Sequence, residues 1–331
     1  MENCQFTLGV DVSKLTLDIS CTQVSQHIRI TNDSKGFKAF KKWCGQYGIA
    51  CKSCLVVMEY TGGYEYRFIQ FCEASSIPYC RVPGLAIKNS LGITRGKNDK
   101  VDSIRIANYA EEKIKKLEPS KPLNISILKL KQLMSFRKRL VRDNAGFAAT
   151  VKEREYMYGQ TSGDIILEVA KRMIDQYKKD IKELDKQLME LVKSDAAMLF
   201  NYTLITSIKG IGKVNGMMTI AYTENFTSFP SGRAYAVFAG VVPFDHSSGT
   251  SIKGRKRVSH IANKELKQEL NQAAKTAILH DPEIRAYAEE KIMQKKNYSI
   301  VLNNVKFKLI QRMFALVKRG EMYVDNYKKA A

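Results

Sequence analysis

The spacing of apolar residues changes near residue 120, and this change constrains the fold more than any other feature of the chain. Residues 6–11 alternate apolar with polar or small side chains, and residues 15–19 alternate again after a short turn. A period of two is typical of β-strands, whereas the spacings of three and four between 167 and 191 are typical of a helix. The sequence therefore predicts a sheet followed by long helices.

The order of elements in the first 120 residues predicts an α/β domain with a mixed sheet. Residues 5–32 predict three strands, and the apolar run 55–58 predicts a buried central strand. Helices are expected at 35–47, with Ser34 as N-cap, at 64–75 and at 99–117, and a further strand at 78–82. By analogy, this layout matches the ribonuclease-H-like fold.

A heptad seam dominates the middle of the chain. It comprises Leu167, Ala170, Ile174, Tyr177, Ile181, Leu184, Leu188 and Leu191. So narrow a seam suits a coiled coil better than a globular core, and it implies helix pairing within the chain or between chains. We favour oligomerisation, because the flanking faces are highly charged. Two prolines, Pro119 and Pro122, separate this region from the preceding helix.

These patterns predict an α/β domain at 1–120, a helical coiled-coil region at 121–200 and a mostly α-helical domain at 201–331. In the last of these, the run 207–214 places a Gly-Ile-Gly turn between apolar segments, as in a helix-hairpin-helix motif. Such a turn lets backbone N–H groups approach a phosphate. We expect Lys209 and Lys213 beside it to contact nucleic acid.

The net charge is the strongest signal in the composition. The chain has 331 residues and a formal charge of +21, which favours a polyanionic partner such as nucleic acid. A basic protein without such a partner is the alternative. No run approaches the roughly 20 apolar residues of a membrane helix, and the N-terminus lacks a signal-peptide pattern. We therefore expect a cytoplasmic protein.

Four acidic residues form the first candidate site. Asp11 interrupts an apolar strand, and Glu59 ends another, so in a ribonuclease-H-like sheet both would meet at one edge. Asp99 and Asp102 share one face at the start of a helix. Converging carboxylates repel one another, and hard divalent cations such as Mg²⁺ remove that repulsion. Helix capping is the alternative explanation for Asp99 and Asp102, and turn capping for Glu59.

A polar run at 245–251 contains the second candidate site. Ser248 lies just before the densest basic cluster of the chain, which contains Lys253, Arg255, Lys256 and Arg257. A serine can attack phosphorus while the cations hold the phosphodiester. From composition alone, an ordinary flexible loop is the simpler interpretation of the serine run, and a solvated face remains an alternative for the basic cluster.

With these residues in place, the sequence resembles the DEDD transposases of the insertion-sequence IS110 family and the related Piv DNA invertases. The N-terminal resemblance lies in Gly9-Val10-Asp11-Val12-Ser13-Lys14, Met58-Glu59-Tyr60-Thr61-Gly62 and Asn98-Asp99-Lys100-Val101-Asp102. The C-terminal resemblance lies in Ile208-Lys209-Gly210-Ile211-Gly212, Phe229-Pro230-Ser231, Ala239-Gly240-Val241-Val242-Pro243 and Ser247-Ser248-Gly249. The motifs stand in family order between about residues 5 and 320.

The resemblance implies a RuvC-like N-terminal domain in which Asp11, Glu59, Asp99 and Asp102 bind Mg²⁺. It implies that Ser248 forms a phosphoserine link to cut DNA, although the adjacent Ser247 is a second candidate. It also implies donor and target DNA as substrates, a structured guide (bridge) RNA, and dimers that assemble into a tetramer. In such a tetramer, the RuvC-like domain of one subunit and the serine domain of another share an active site.

We therefore expect a Mg²⁺-dependent DNA recombinase that moves an insertion sequence. One alternative is a RuvC-like, junction-resolving nuclease that uses the same carboxylates with water as nucleophile. Another is a non-enzymatic nucleic-acid-binding scaffold built on a coiled coil, although such a scaffold would gain nothing from acidic residues that face DNA.

Overall fold

The computed structural model describes residues 4–90, 98–159, 163–248 and 252–325. The chain divides into two compact units. Met1–Leu123 is called the sheet unit below, and Asn124–Ala331 is called the helical unit. The separation of 121–200 from 201–331 into two domains stays a prediction.

The predicted mixed sheet is confirmed in the sheet unit. Its strands are β1 (Phe6–Val12), β2 (Thr16–Cys21), β3 (Gln26–Thr31), β4 (Cys54–Glu59) and β5 (Tyr79–Val82). They pair in the order β3-β2-β1-β4-β5. The first three strands form an antiparallel meander, whereas β1–β4 and β4–β5 are parallel pairs. The apolar run 55–58 is fully buried in β4, as expected of a central strand.

The helices of the sheet unit are α1 (Ser34–Gln46), α2 (Tyr66–Ala74), α3 (Gly84–Ser90) and α4 (Asp99–Lys113). The prediction of Ser34 as N-cap of α1 is wrong by one residue, because the Asp33 carboxylate accepts the Gly36 N–H at 2.9 Å. The sequence analysis also missed α3, which is too short to show a helical period.

Helices cover both faces of the sheet. Leu8 and Val10 of β1 pack in one core cluster with Phe40 of α1 and Phe68 of α2. Side chains that point the other way, such as Leu55 and Val57 of β4, pack against α4. Because successive strand residues point to opposite faces, Gly9 and Asp11 lie on the α4 face.

The helical unit is built from α5 (Ile125–Tyr158), α6 (Ile165–Lys193), α7 (Ala196–Thr206), α8 (Lys213–Thr223), α9 (Gly232–Phe238), α10 (Lys264–His280), α11 (Pro282–Met293) and α12 (Tyr298–Arg319). A hairpin of β6 (Pro243–Ser248) and β7 (Ile252–Val258) lies between α9 and α10. Residues from α5, α6 and the later helices share one apolar core, which includes Leu130, Leu188 and Leu309. Among the described helices, none has the length and apolar character to cross a membrane.

The heptad seam of α6 faces α5 of the same chain. Tyr177 of the seam packs on Phe147, with ring centroids 5.8 Å apart. Arg137 pairs with Asp185 near one end of the two helices, and Arg154 pairs with Asp164 near the other, so the helices are antiparallel. Helix pairing within the chain, the alternative to the favoured oligomerisation, therefore accounts for the contacts of the seam with α5.

Candidate active site

The register of the sheet places two of the predicted acidic residues side by side. Val10 of β1 pairs with Met58 of the parallel strand β4, so the next residues along the two strands, Asp11 and Glu59, are neighbours. Neighbouring strands lie about 4.8 Å apart, and residues in register share a face. Both side chains are half-buried. Hydrogen bonds of the sheet thus bring together carboxylates that are 48 positions apart in the sequence.

A third acidic residue, Asp18, was missed by the sequence analysis. It lies opposite Asp11 in the antiparallel pair of β1 and β2, and its carboxylate is almost fully buried. Arg29 Nε and His27 Nε2 of β3 lie 2.9 Å from its two oxygens. The signal that identified Asp11, an acidic residue inside an apolar strand, also applies to Asp18, which stands between Leu17 and Ile19.

A glycine in β1 brings α4, with its two acidic residues, close to the sheet. A Cβ on Gly9 would lie 2.1 Å from Ala107 N and 2.3 Å from Ser103 O, so only glycine fits beneath the helix backbone. The hydroxyl groups of Ser20 and Ser103, 2.7 Å apart and buried, join α4 to β2. The first turn of α4, which contains Asp99 and Asp102, therefore starts from a fixed position over the sheet.

Asp99 and Asp102 each have a cationic partner. Asn98, not Asp99, caps α4, because its side chain accepts the Val101 N–H at 2.8 Å. The Asp99 carboxylate instead accepts a hydrogen bond from Arg29, which also binds Asp18. Asp102 pairs with Arg105 at 2.8 Å. Capping therefore does not explain Asp99.

The electrostatics of Asp11 show that these acidic residues share one environment. Burial is the largest cause that raises the pKa of the Asp11 carboxyl to about 6, and four nearby carboxylates add to it. In decreasing order of effect, these are Asp99, Asp102, Asp18 and Glu59. In the residues that the structure describes, no group of three or more His, Cys, Asp or Glu side chains has the geometry to hold a metal ion. The carboxylates are close enough to repel but do not form a closed ligand set.

The predicted serine lies in a β-hairpin. The polar run 245–251 was expected to form a loop, but residues 243–248 form β6, with Ser247 opposite Lys253 and Ser248 opposite Ile252 in β7. The interpretation as a flexible loop is therefore wrong for residues 245–248, because ladder hydrogen bonds hold them. The side chains of Ser247, Ser248, Lys253 and Arg255 lie outside the described part of the structure, as do residues 249–251.

Comparisons with known proteins agree with the motifs at both sites. Residues 8–152 match a family model for the DEDD transposases of IS110, and residues 202–289 match the model described as "Transposase IS116/IS110/IS902 family". The chain belongs to the IS110 family of transposases. It is therefore an enzyme, a DNA transposase or recombinase, and the alternative of a non-enzymatic scaffold is excluded.

Curated relatives support the assignment. The pilin gene-inverting protein of Moraxella lacunata is 26% identical over 270 residues, which cover 80% of each chain. The pilin gene-inverting protein of Moraxella bovis matches to the same extent. A 43.6 kDa protein of the insertion element IS110 of Streptomyces coelicolor is 28% identical over 120 residues, 36% of this chain and 29% of that protein.

The basic residues that were predicted to contact nucleic acid lie in the helical unit. Lys256 pairs with Asp245 across the hairpin at 2.8 Å, and Arg257 lies opposite Phe244. Lys209 pairs with Asp325 at 2.5 Å, and Lys213 lines a cavity between α5, α6 and α8. Roles in nucleic-acid binding stay predictions for all four basic residues.

The Gly-Ile-Gly turn lies between two helices, as the predicted helix-hairpin-helix motif requires, since α7 ends at Thr206 and α8 begins at Lys213. Gly210 has a φ of +98°, and a Cβ there would lie 2.7 Å from Ala273 O of α10. Close packing on α10 thus explains this glycine. Gly212 is the N-cap of α8, and a Cβ built there would meet no atom within 4 Å, so there is room for a phosphate to approach.

Proposed function

We propose that this transposase moves an insertion sequence by strand exchange through a phosphoserine link between the enzyme and DNA. The Ser248 hydroxyl attacks a phosphodiester, the bond from phosphorus to the leaving deoxyribose oxygen breaks, and that oxygen takes up a proton. A free hydroxyl of another strand then attacks the phosphoserine and releases the serine. The bond energy is conserved in the covalent link, so no nucleotide cofactor is needed.

The observation that carries the proposal is the convergence of carboxylates from three elements. Asp11 comes from β1, Glu59 from β4, and Asp99 and Asp102 from the first turn of α4, and their mutual repulsion contributes to the raised pKa of Asp11. The strand order of the sheet and the acidic residues on its central strands, β1 and β4, both support a RuvC-like domain.

The donor set fits a hard divalent cation, because it consists of carboxylate oxygens whose charges are incompletely balanced. We propose that Asp11, Glu59, Asp99 and Asp102 hold Mg²⁺, which when bound stabilises the charge that develops on the phosphodiester. Arg29 and Arg105 now occupy the Asp99 and Asp102 carboxylates. Each of these contacts uses one carboxylate oxygen, so the other oxygen of each aspartate can serve as a ligand.

The hairpin would present the nucleophile beside the phosphate contacts. β7 runs antiparallel to the serine strand and contains Lys253, Arg255, Lys256 and Arg257. Cations beside an attacked phosphodiester hold it by charge-assisted hydrogen bonds and contribute salt-sensitive affinity without sequence readout. Lys209 and Lys213 near the α7–α8 turn would contact further backbone.

Target choice and assembly complete the proposal. We propose that a structured RNA of the element pairs with donor and target DNA, which leaves sequence reading to base pairing. The net charge of +21 favours binding of polyanions, which include RNA as well as DNA. We also propose that dimers join into a tetramer, with active sites shared between domains 1–120 and 201–331 of different subunits.

A covalent-trapping experiment tests the mechanism. The protein is incubated with Mg²⁺, RNA from the ends of its element, and labelled donor and target DNA, and the products are separated on a denaturing protein gel. We expect a labelled protein band that disappears in Ser248→Ala and persists in the matched control Ser247→Ala. The opposite pattern would make Ser247 the nucleophile.

Two further outcomes would overturn parts of the proposal. Cut DNA without protein-bound label would mean that water is the nucleophile, as in a junction-resolving nuclease with the same carboxylates. An equal yield of the labelled band without the RNA would exclude RNA guidance, while leaving the serine mechanism intact.

A further inference from the structure

A basic groove lies on the face of the sheet opposite the carboxylate cluster. It runs between α1 and α2, which cover the Leu8 and Val10 face, whereas α4 covers the other. Its volume is about 840 Å³. The polar side chains that decide its character are Lys38 and Lys41 from α1 and Arg67 and Gln70 from α2.

The positive charge of this groove is not balanced locally. α1 contains four lysines and no acidic residue. Lys38, Lys41 and Arg67 are exposed, and none of them forms a salt bridge to a carboxylate of the described chain. The single acidic side chain of the groove, Asp33, is engaged by the Gly36 N–H at 2.9 Å and the Thr31 hydroxyl at 2.7 Å. These cations are therefore available to an external anion.

The spacing of the cations suits a polyanion. Lys38 and Lys41 are three residues apart on one helix, so their Cβ atoms lie about 5–6 Å apart on the same face. Arg67 approaches from the other wall of the groove. Side chains of this length, placed on two walls, can reach successive phosphates of one strand, which follow one another at about 3.4 Å along the axis of a duplex.

The aromatic residues of the groove favour a duplex over a single strand. Proteins that bind single strands offer open aromatic rings on which bases stack. Here the Phe71 ring is stacked on Phe37, with centroids 5.0 Å apart, and the Lys41 ammonium lies 5.2 Å from the Phe71 centroid. Because Phe37 and Lys41 already contact the Phe71 ring, it is not an open platform for a base. The groove offers charge and hydrogen bonds instead, which suit a phosphate backbone.

We propose that the α1–α2 groove binds the phosphate backbone of duplex DNA, as a surface separate from the carboxylate cluster. On the opposite face of the sheet, this binding does not require the catalytic carboxylates. The contact is independent of sequence, and it would hold a segment of duplex other than the one being cut.

Salt-dependent DNA binding tests this inference in the full-length protein. The probe is a 30-base-pair duplex without element sequences, and its affinity is measured by fluorescence anisotropy between about 50 and 200 mM salt. For K38Q/K41Q we expect the slope of log K against log salt to fall by about 2, with an affinity loss of about tenfold at the lower salt. R67Q should reduce the slope by about 1.

A charge-matched control distinguishes contacts in the groove from the effect of the protein's overall positive charge. K115Q/K116Q removes the same charge from exposed lysines just beyond α4, and we expect a slope within about 0.5 of the wild type. Equal slopes for the two double variants would overturn the inference. A loss confined to a 30-nucleotide single-stranded RNA would overturn it in favour of an RNA site.

Cleavage chemistry can be scored independently of this surface. In the covalent-trapping assay at low salt, the control K115Q/K116Q should still form the labelled protein band, whereas Ser248→Ala should not. A failure of the groove inference therefore leaves the serine mechanism untouched, and a failure of the serine mechanism leaves the binding result interpretable.

Discussion

Asp11 in the sheet unit and Asp164 in the helical unit both lie among charged groups, but their pKa values move in opposite directions. Burial and surrounding carboxylates raise the pKa of Asp11 to about 6. A hydrogen bond from Arg154, together with backbone N–H groups at the start of α6, lowers the pKa of Asp164. The helical unit gives this aspartate a partner, whereas Asp11 has no cation within salt-bridge distance among the described residues.

A fully buried aspartate of the helical unit also has partners that Asp11 lacks. Asp281 of the helical unit is fully buried, but Arg312 binds it at 2.7 Å and the N–H groups of Glu283 and Ile284 complete its shell. Asp164 and Asp281 of the helical unit thus stabilise helix starts and contacts between helices. The sheet unit instead gathers four carboxylates around Asp11 and raises its pKa, a pattern that is typical of functional sites.

The largest effect is expected from removing the charge of Asp11. Asp11→Asn keeps the shape of the side chain but removes the carboxylate on the central strand, and we expect strand cleavage to fall by about a thousandfold or more. The rate at which labelled DNA is cleaved at saturating Mg²⁺ measures this loss. The matched control is Glu112→Gln, which removes the charge of an exposed acidic residue of the same unit outside the cluster and should retain activity within about threefold. Equal losses in the two variants would remove Asp11 from the active site.

A smaller effect, on stability alone, is expected at Asp281. Asp281→Asn leaves the half-buried Arg312 with Glu283 as its one carboxylate partner among the described residues, so we expect the free energy of unfolding to fall by about 3 kcal/mol. Urea unfolding followed by circular dichroism at 222 nm reports on the helices. An unchanged free energy of unfolding would show that the Asp281–Arg312 ion pair does not stabilise the helical unit, and the comparison with Asp11 would fail.

The smallest effect is the pH dependence that Asp11 confers on the protein without divalent cations. Because its folded-state pKa is raised from 3.8 to about 6, its favourable contribution is complete below about pH 3.8 and is lost as the pH rises through 6. After allowance for the partial exposure of Asp11, we expect Asp11→Asn to gain about 1 kcal/mol over wild type between pH 4.5 and 7.5.

The chain offers a direct probe of this effect. Trp43 is the single tryptophan of the sequence and is buried in the sheet unit, so its fluorescence follows unfolding of that unit. Urea unfolding curves of wild type and Asp11→Asn, recorded in EDTA at pH 4.5 and 7.5, give the difference in the free energy of unfolding. A difference between variant and wild type that does not grow with pH would contradict the assigned pKa shift.

Local signals in the sequence were enough to find the strands of the sheet unit and Asp11, Glu59, Asp99 and Asp102, but their mutual arrangement was expected only by analogy with the ribonuclease-H-like fold. The apolar run of β4 and the interruption of β1 by Asp11 are visible within a few residues. The neighbouring positions of Asp11 and Glu59 depend on a register that a one-residue slip would reverse, and sequence spacing does not fix it. Likewise, the approach of α4 to Gly9 joins residues almost 100 positions apart.

Elements without a strong apolar pattern were the ones missed. α3 has seven residues, and β6 is polar around Ser247 and Ser248, so neither shows a period that identifies it. Asp33 and Ser34 are both residues that cap helices well, and only the geometry chooses between them. The partner of the α6 seam was also undetermined, because the same heptads can face a helix of the same chain or of another.

The parallel pairing of β1 with β4 has a consequence for how this enzyme can change over time. The separation between the backbones that carry Asp11 and Glu59 is the interstrand spacing of a β-sheet, about 4.8 Å, which is a property of the peptide group. Substitution of neighbouring side chains does not alter that length. Descendants can therefore diverge widely in sequence, or be redesigned around new targets, while inheriting the same distance between the two strands at the centre of the site.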